Sequence, residues 1–228
     1  MVVEREGGRI SDSRFEAIGR WLRPGDLLVA NDSRVYPARL VGRKTSGGRV
    51  EALLLSLDKN PVPALIRSSK QLREGQEVDF GQGVRARVVA PLKGGRWRMD
   101  FSPLNAAVAV DRRGRVPLPP YIRREDDVTR MQDIERYQTV YARRSGSVAA
   151  PTAGLHFTDK LLSQLKAAGV GFSTLTLDVG PGTFTPIRSD PDSHTMEAEH
   201  CEVGTELARL CRRTRRRRGR VVAVGTTS

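Results

Sequence analysis

The chain has 228 residues, a formal net charge of +13, a sequence pI of about 10.7 and a mean hydropathy of −0.42. Its 38% apolar content is enough for one large core or two ordinary ones, and no run nears the ~18 to 20 apolar residues of a membrane-spanning helix. Residues 1–9 carry no basic segment followed by an apolar stretch, so no secretory signal is expected, and Cys201 and Cys211 form neither a disulfide framework nor a zinc pattern. These features predict a soluble protein of the reducing cytoplasm. The positive field favours a polyanionic partner, with arginine-for-lysine replacement on ordinary solvated faces as the competing reading.

Residues 9–41 predict strand, helix and strand. Ser11 is placed to cap a helix over 12–22, Pro24-Gly25 breaks it, and 26–30 is a short apolar strand. Asn31-Asp32-Ser33-Arg34 then makes a polar turn into the segment 35–40. From about Val41 the apolar period becomes two. Short strands are expected at 49–55, 62–67, 77–80, 84–89 and 96–101, punctuated by Gly47-Gly48, Gly75, Gly81, Gly83 and Gly94-Gly95, which predicts a small antiparallel barrel or sandwich. Prolines 117, 119 and 120 exclude regular helix and mark an exit linker, and 123–136 is a charged surface stretch.

Beyond Tyr137 strands and helices alternate. An apolar run at 147–150 enters the Pro151 loop. Thr158 caps a helix over 158–168 with Leu161, Leu162 and Leu165 on one face, and Gly169 ends it. A strand follows at 171–179, then a helix at 205–218 and a buried parallel strand at 221–224. Such a strand normally feeds a crossover helix, yet only Gly225-Thr226-Thr227-Ser228 follow, so the sequence reads as truncated. The expected fold class is an α/β domain with an inserted small antiparallel β-barrel: residues 1–41 and 117–228 form the discontinuous α/β domain, and 42–116 the inserted barrel.

Two loops of small residues stand at strand ends, where open α/β sheets bind ligands. The first is Pro151-Thr152-Ala153-Gly154-Leu155-His156-Phe157. Its His156 reads either as a general acid or base or as a structural histidine packed under the helix. The second is Val179-Gly180-Pro181-Gly182-Thr183-Phe184, which offers backbone N–H groups to an anion, preceded by Asp178, a reader of a ligand hydroxyl or amine or else a cap on the loop. Asn31, Asp32, Arg34 and Arg39 form a further polar patch, suited to phosphate or carboxylate or, alternatively, to a capped turn. The segment 192–202 holds His194, Glu197, Glu199, His200 and Glu202. The six-residue histidine spacing does not fit two ligands on one helix face, so a polar loop over the active site is favoured and no metal is expected. Arg212, Arg213, Arg215 to Arg218 and Arg220 form a dense cationic cluster that would wrap around several helix faces, a phosphate contact or a solvated helix. Few aromatics accompany it, so base stacking is not the expected binding mode.

Together these blocks resemble the S-adenosylmethionine:tRNA ribosyltransferase-isomerase family of the queuosine pathway. The resemblance is carried by Arg23-Pro24-Gly25-Asp26-Leu27-Leu28-Val29-Ala30-Asn31-Asp32-Ser33-Arg34-Val35 and by Pro37-Ala38-Arg39-Leu40-Val41-Gly42. It continues in the same order through 117–122, Tyr137-Gln138-Thr139-Val140-Tyr141, 149–157, 180–184 and 224–228. It implies an α/β fold with an inserted barrel. It also implies a reaction: the ribosyl part of S-adenosylmethionine passes to the 7-aminomethyl-7-deazaguanine base of a tRNA with a GUN anticodon. Epoxyqueuosine-tRNA forms, and adenine and methionine leave. S-adenosylmethionine is thus the ribosyl-donor substrate, tRNA the partner and a monomer the expected state. By the resemblance His156, Asp178 and Glu199 are catalytic residues. Asn31, Asp32, Arg34, Arg39, Thr152, Ala153, Gly154, Gly180, Gly182, Thr183, His194, Thr226 and Thr227 bind substrate. The family pattern usually has His at the position of Asp178 and often at that of Glu197, and Ala or similar at that of Pro181. It also extends beyond both ends of this sequence. The competing expectations are a non-catalytic fragment or RNA-binding protein that retains only the tRNA-binding surface, and an S-adenosylmethionine-dependent methyltransferase. The last lacks support from any Gly-x-Gly-x-x-Gly after a first strand.

Overall fold

A computed structural model describes residues 1–119, 122, 130–184, 190, 192 and 198–228. The first strands are β1 (Val2–Val3), β2 (Ile10–Ser11), β3 (Leu27–Asn31) and β4 (Ser33–Val35). Six more follow as β5 (Arg39–Lys44), β6 (Arg49–Leu54), β7 (Val62–Ser68), β8 (Glu77–Gly81), β9 (Val84–Pro91) and β10 (Arg96–Asp100). The last are β11 (Arg144–Ser147), β12 (Gly171–Leu177), β13 (Cys201–Glu202) and β14 (Val221–Ala223). The α-helices are α1 (Ala106–Arg113), α2 (Arg130–Arg136), α3 (Asp159–Ala167) and α4 (Thr205–Arg216). The chain divides into two compact units, one of residues 1–34, 138–179 and 198–228, the other of residues 35–137 and 180–197.

The first unit is built on a sheet of order β13-β12-β3-β14. Both β12 and β14 run parallel to β3, with Gly171 and Val221 each opposite Leu27. Every residue of β3 is buried, as a strand covered on both faces requires. Its side chains alternate: Leu28 and Ala30 join Leu161 and Leu165 of α3 in one core, and Leu27 and Val29 join Leu207 of α4 in another. Thr158 caps α3 by accepting from Leu161 N at 3.1 Å, as its sequence position predicts. At the lower end of the sheet Asp26 is 3% exposed and binds Arg220 through two carboxylate oxygens while also accepting from Arg23 N at 2.8 Å.

Three expectations change in this unit. The helix expected over 12–22 is a 3-10 helix, Phe15–Trp21, with Arg14 rather than Ser11 at its start. Ser11 is paired in β2 with Val2 and cannot cap, and the three-residue turn sets Phe15 and Ile18 on one side, against the α3 core. The final strand is an edge strand, half-buried at Val221 and Val222 and exposed at Ala223, rather than a buried one. The sheet is also mixed, because β13 pairs antiparallel with β12.

The second unit is a closed antiparallel barrel of order β10-β7-β6-β5-β8-β9. Alternate residues point inward, among them Val50, Ala52, Leu54, Val78, Phe80, Val88 and Met99. Closure leaves no unpaired strand edge and excludes the sandwich alternative. It depends on Gly42 of β5, where a Cβ would stand 2.4 Å from the backbone oxygen of Asp79 in β8. The sequence reading did not anticipate α1. Asn105 caps it by accepting from Val108 N at 2.9 Å, and Ala106, Ala109 and Val110 enter the barrel core. Of the charged stretch 123–136, α2 is described, and Arg130 donates to Gly114 O and Asp111 O at the end of α1. Among the described residues no helix is long and apolar enough to cross a membrane.

Candidate functional site

The carboxyl ends of β3, β12 and β14 gather most of the first unit's candidate residues. Asn31, fully buried at the end of β3, is bonded on both sides of its amide. Its Nδ2 donates to Leu177 O at 2.8 Å, and its Oδ1 accepts from Leu177 N and Ser33 N, each at 3.0 Å. The side chain is a splint between the ends of two parallel strands. Asp32 is 6% exposed, and its two carboxylate oxygens accept from Thr176 Oγ1 at 2.7 Å and Thr174 Oγ1 at 2.8 Å. Thr174 and Thr176 are two apart on one strand and so share a face of the sheet. Arg34 is exposed on β4.

The splint fixes where Asp178 begins. Asp178 N donates to His200 O at 2.9 Å, and the next amide, Val179 N, donates to Ser147 Oγ at 2.8 Å. Ser147 Oγ in turn donates to Ser33 Oγ at 2.8 Å. The Asp178 carboxylate lies against Gly146, where a Cβ would stand 2.3 Å from Oδ1 and 2.6 Å from Oδ2. Oδ1 is buried and has no hydrogen-bond partner among the described residues. Burial raises the carboxyl group above the ordinary carboxylate range, against the opposing charges of His200 and Arg144. Arg144 itself is paired with Glu202. Glu199, beside His200, is exposed.

The first small-residue loop is a 3-10 helix, Thr152–His156, closed by Phe157 N donating to Gly154 O. Gly154 is buried, and the reason it is glycine is steric. A Cβ there would stand 2.2 Å from Tyr141 Oη and 2.8 Å from Thr139 Cγ2. Tyr141 Oη and Thr139 Oγ1 are buried without hydrogen-bond partners among the described residues. Burial pushes the Tyr141 phenol up to about 12. The Tyr141 ring packs with Phe157 and Phe172, centroids 6.4 Å and 5.1 Å away. His156 is exposed, with its ring 5.0 Å from that of Phe15 and Nδ1 3.3 Å from Ala153 O.

The chain's last turn meets this loop. Gly225, at φ +88°, brings the backbone so close that a Cβ would lie 3.0 Å from Ala153 Cβ. Ala153 is thereby set beside the turn that continues into Thr226, exposed, and Thr227, half-buried. Arg39, Gly180, Gly182 and Thr183 belong to the second unit. There Arg39 is on barrel strand β5 and binds Glu51 in a two-point pair at 2.8 and 2.9 Å. Burial works to raise Glu51, yet the hydrogen bond and charge of Arg39 bring it below its ordinary value. Gly182 lies in a 3-10 helix, Pro181–Phe184. His194 and Glu197 lie outside the described residues. Among the described residues no group of three or more His, Cys, Asp and Glu is arranged to hold a metal ion.

Sequence reasoning missed the residues that build the site from behind: Thr139, Tyr141, Gly146, Ser147, Thr174 and Thr176. The Thr-x-Thr spacing on an expected strand was a usable signal for the last two. Gly146 carried none, because its demand arises from a side chain remote in sequence.

A family model described as queuosine biosynthesis protein matches residues 1–228. Two similar relatives are each named S-adenosylmethionine:tRNA ribosyltransferase-isomerase. The one from Pelobacter propionicus is 45% identical over 233 residues and the one from Geobacter sulfurreducens 48% over 232. Each alignment covers 100% of this chain and 67% of the relative, so the chain spans about two thirds of their length. A solved S-adenosylmethionine tRNA ribosyltransferase from Thermotoga maritima is similar at 27% identity, covering 97% of this chain and 59% of that one, with a TM-score of 0.37.

Proposed function

The chain belongs to the queuosine biosynthesis protein family, and from that premise we infer that it is an S-adenosylmethionine:tRNA ribosyltransferase-isomerase. It moves the ribosyl group of S-adenosylmethionine onto the 7-aminomethyl-7-deazaguanine base of a tRNA with a GUN anticodon and isomerises it. Epoxyqueuosine-tRNA is the product, and adenine and methionine are released. We read the protein as a cytoplasmic monomer, with a discontinuous α/β domain that carries the chemistry and an inserted barrel domain.

One observation carries the chemical side of the reading: Asp178 Oδ1, at the carboxyl end of β12, has no hydrogen-bond partner among the described residues. Adenine departs when its ring accepts a proton and the positive charge left on the ribose is stabilised. The two carboxylates at this edge differ in what remains to them. Asp32 is engaged by two threonine hydroxyls, whereas among the described residues nothing donates to Asp178 Oδ1. Asp178 therefore supplies the charge that stabilises the ribosyl cation, and Asn31 and Asp32 act by positioning it. His156, exposed at the end of the Thr152–His156 turn, donates the proton to the leaving adenine. The turn itself, with Thr226 and Thr227, holds the donor substrate, and Glu199 is the third catalytic group.

The test is product analysis by mass. The chain is incubated with S-adenosylmethionine and a tRNA bearing the deazaguanine precursor. Adenine and methionine in equal amounts are expected. S-adenosylhomocysteine would instead identify a methyltransferase, and unaltered S-adenosylmethionine beside bound tRNA would leave an RNA-binding protein.

A further inference from the structure

The cationic run on α4 is not accounted for by the site. The helix packs onto the sheet through Leu207, Leu210 and Cys211. At 100° per residue these three and Thr214 occupy one side of the helix, while Arg209, Arg212, Arg213, Arg215 and Arg216 occupy the other. The run covers the several faces that the packed side leaves, as the sequence spacing suggested. The helix anchors one face and presents its arginines on the other. Arg212, Arg213, Arg215, Arg216, Arg217 and Arg218 are all exposed. Arg209 is paired with Glu206, which also feels the charge of Arg213, and Arg220 with Asp26, but among the described residues none of these six makes a close ion pair. Glu206 is the last acidic residue of the chain.

Like charges three and four apart on a helix repel. The carbonyl end of the helix dipole offsets part of that repulsion but supplies no counter-ion. A second observation falls on the same turn. The helix ends with Gly219 N donating to Thr214 O and Arg218 N to Arg215 O, a pattern that puts residue 218 in the left-handed region, at φ +60°. Glycine is favoured there, yet the chain has arginine. Its glycine is one place later because a Cβ on Gly219 would stand 2.2 Å from Gly25 O. The strained position thus carries a further exposed cation.

We propose that the C-terminal half of α4 and the turn after it form a binding surface for the RNA phosphodiester backbone, separate from the carboxyl edge of the sheet. The inference rests on the reading of tRNA as substrate. Guanidinium forks match phosphate oxygens two at a time, and an array without base-reading or stacking partners fixes position and affinity rather than sequence. It serves a tRNA stem, whose backbone is the same in every tRNA, and leaves base recognition to the catalytic edge.

The experiment measures tRNA affinity against salt concentration for the full chain and for Arg212→Gln/Arg216→Gln/Arg217→Gln. Three lost phosphate contacts lower the slope of log affinity against log salt by about 2 to 3, and Lys at the same three positions restores most of it. Arg218→Gly is a second variant. It relieves the left-handed strain, so its thermal midpoint rises, while its salt slope falls by about 1. An unchanged slope and affinity in the Gln variant, with its thermal midpoint intact, overturns the surface, as does an equal loss in the Lys variant. If the wild-type chain releases no adenine but its slope still falls with the arginines, ribosyl transfer fails and the surface stands.

Discussion

The Asp178 carboxylate rests on the α-carbon of Gly146, with no room between them for a methyl group. Gly146 lies on β11 and Asp178 just past the end of β12. Replacing Gly146 by Ala must move either the carboxylate or the strand. A displacement on the order of 1 Å at a charge-stabilising group costs about 100-fold in rate. Adenine release by Gly146→Ala is therefore expected to fall about that far, with binding of S-adenosylmethionine changed much less. Equal loss of both would place the defect in folding instead.

Asp178→Asn separates stability from chemistry. In the folded chain the carboxyl group is raised above its unfolded value by burial. The folded state thus binds the proton more tightly, and stability falls as pH rises from the ordinary carboxylate range through the raised value. The Asn variant has no proton to lose. Its urea midpoint should exceed that of the wild type at neutral pH and approach it in acid, while adenine release drops at least ~10-fold. A variant less stable at neutral pH would remove the strain from Asp178.

Asp26 has the opposite sign. Its hydrogen bond to Arg220 outweighs burial and holds it at about 2, against an ordinary 3.8. Stability from this pair is complete above pH 4 and is lost as pH falls toward 2. The loss is on the order of 2 kcal/mol. Asp26→Asn should show a flatter denaturation midpoint across that window, since the unfolded state no longer gains protons there.

Gly154 and Tyr141 should be strongly coupled. Gly154→Ala sets a methyl group 2.2 Å from Tyr141 Oη and is expected to destabilise the first unit by about 1 to 3 kcal/mol. Tyr141→Phe removes a buried hydroxyl that has no partner among the described residues, so alone it is near neutral. In the double variant the clash is reduced to the ring edge, and part of the loss returns. A thermal-melt double-mutant cycle with no coupling would place the tight contact elsewhere.

Much of the architecture was legible because it rests on periodicity. The period-two run with glycine turns between Arg49 and Phe101 predicted the barrel, and Leu161, Leu162 and Leu165 with the Thr158 cap predicted α3. What failed depended on commitments made elsewhere in the chain. Ser11 has a capping side chain, but its backbone is paired with Val2. Gly42 reads as one strand residue among others until β8 closes on it. In the site the loops were visible and their backing was not. Gly-rich segments announce close approach, whereas the consequence of Asp178 depends on Gly146 and Ser147 of β11 and Ser33 of β4 meeting it from two other segments. Asn31 was singled out as a polar turn residue; that its amide staples two strands follows only from their parallel register.

That staple also sorts the sheet by time. β3 lies between two bonded neighbours, and its far end is tied to Leu177 through Asn31, so its amides are released only when the unit opens as a whole. β14 is bonded to β3 on one side and ends in the turn that carries Thr226 and Thr227. The two halves of the carboxyl edge therefore breathe at different rates: Asp32 and the start of Asp178 stand on the slow half, and the Gly225 turn on the fast one.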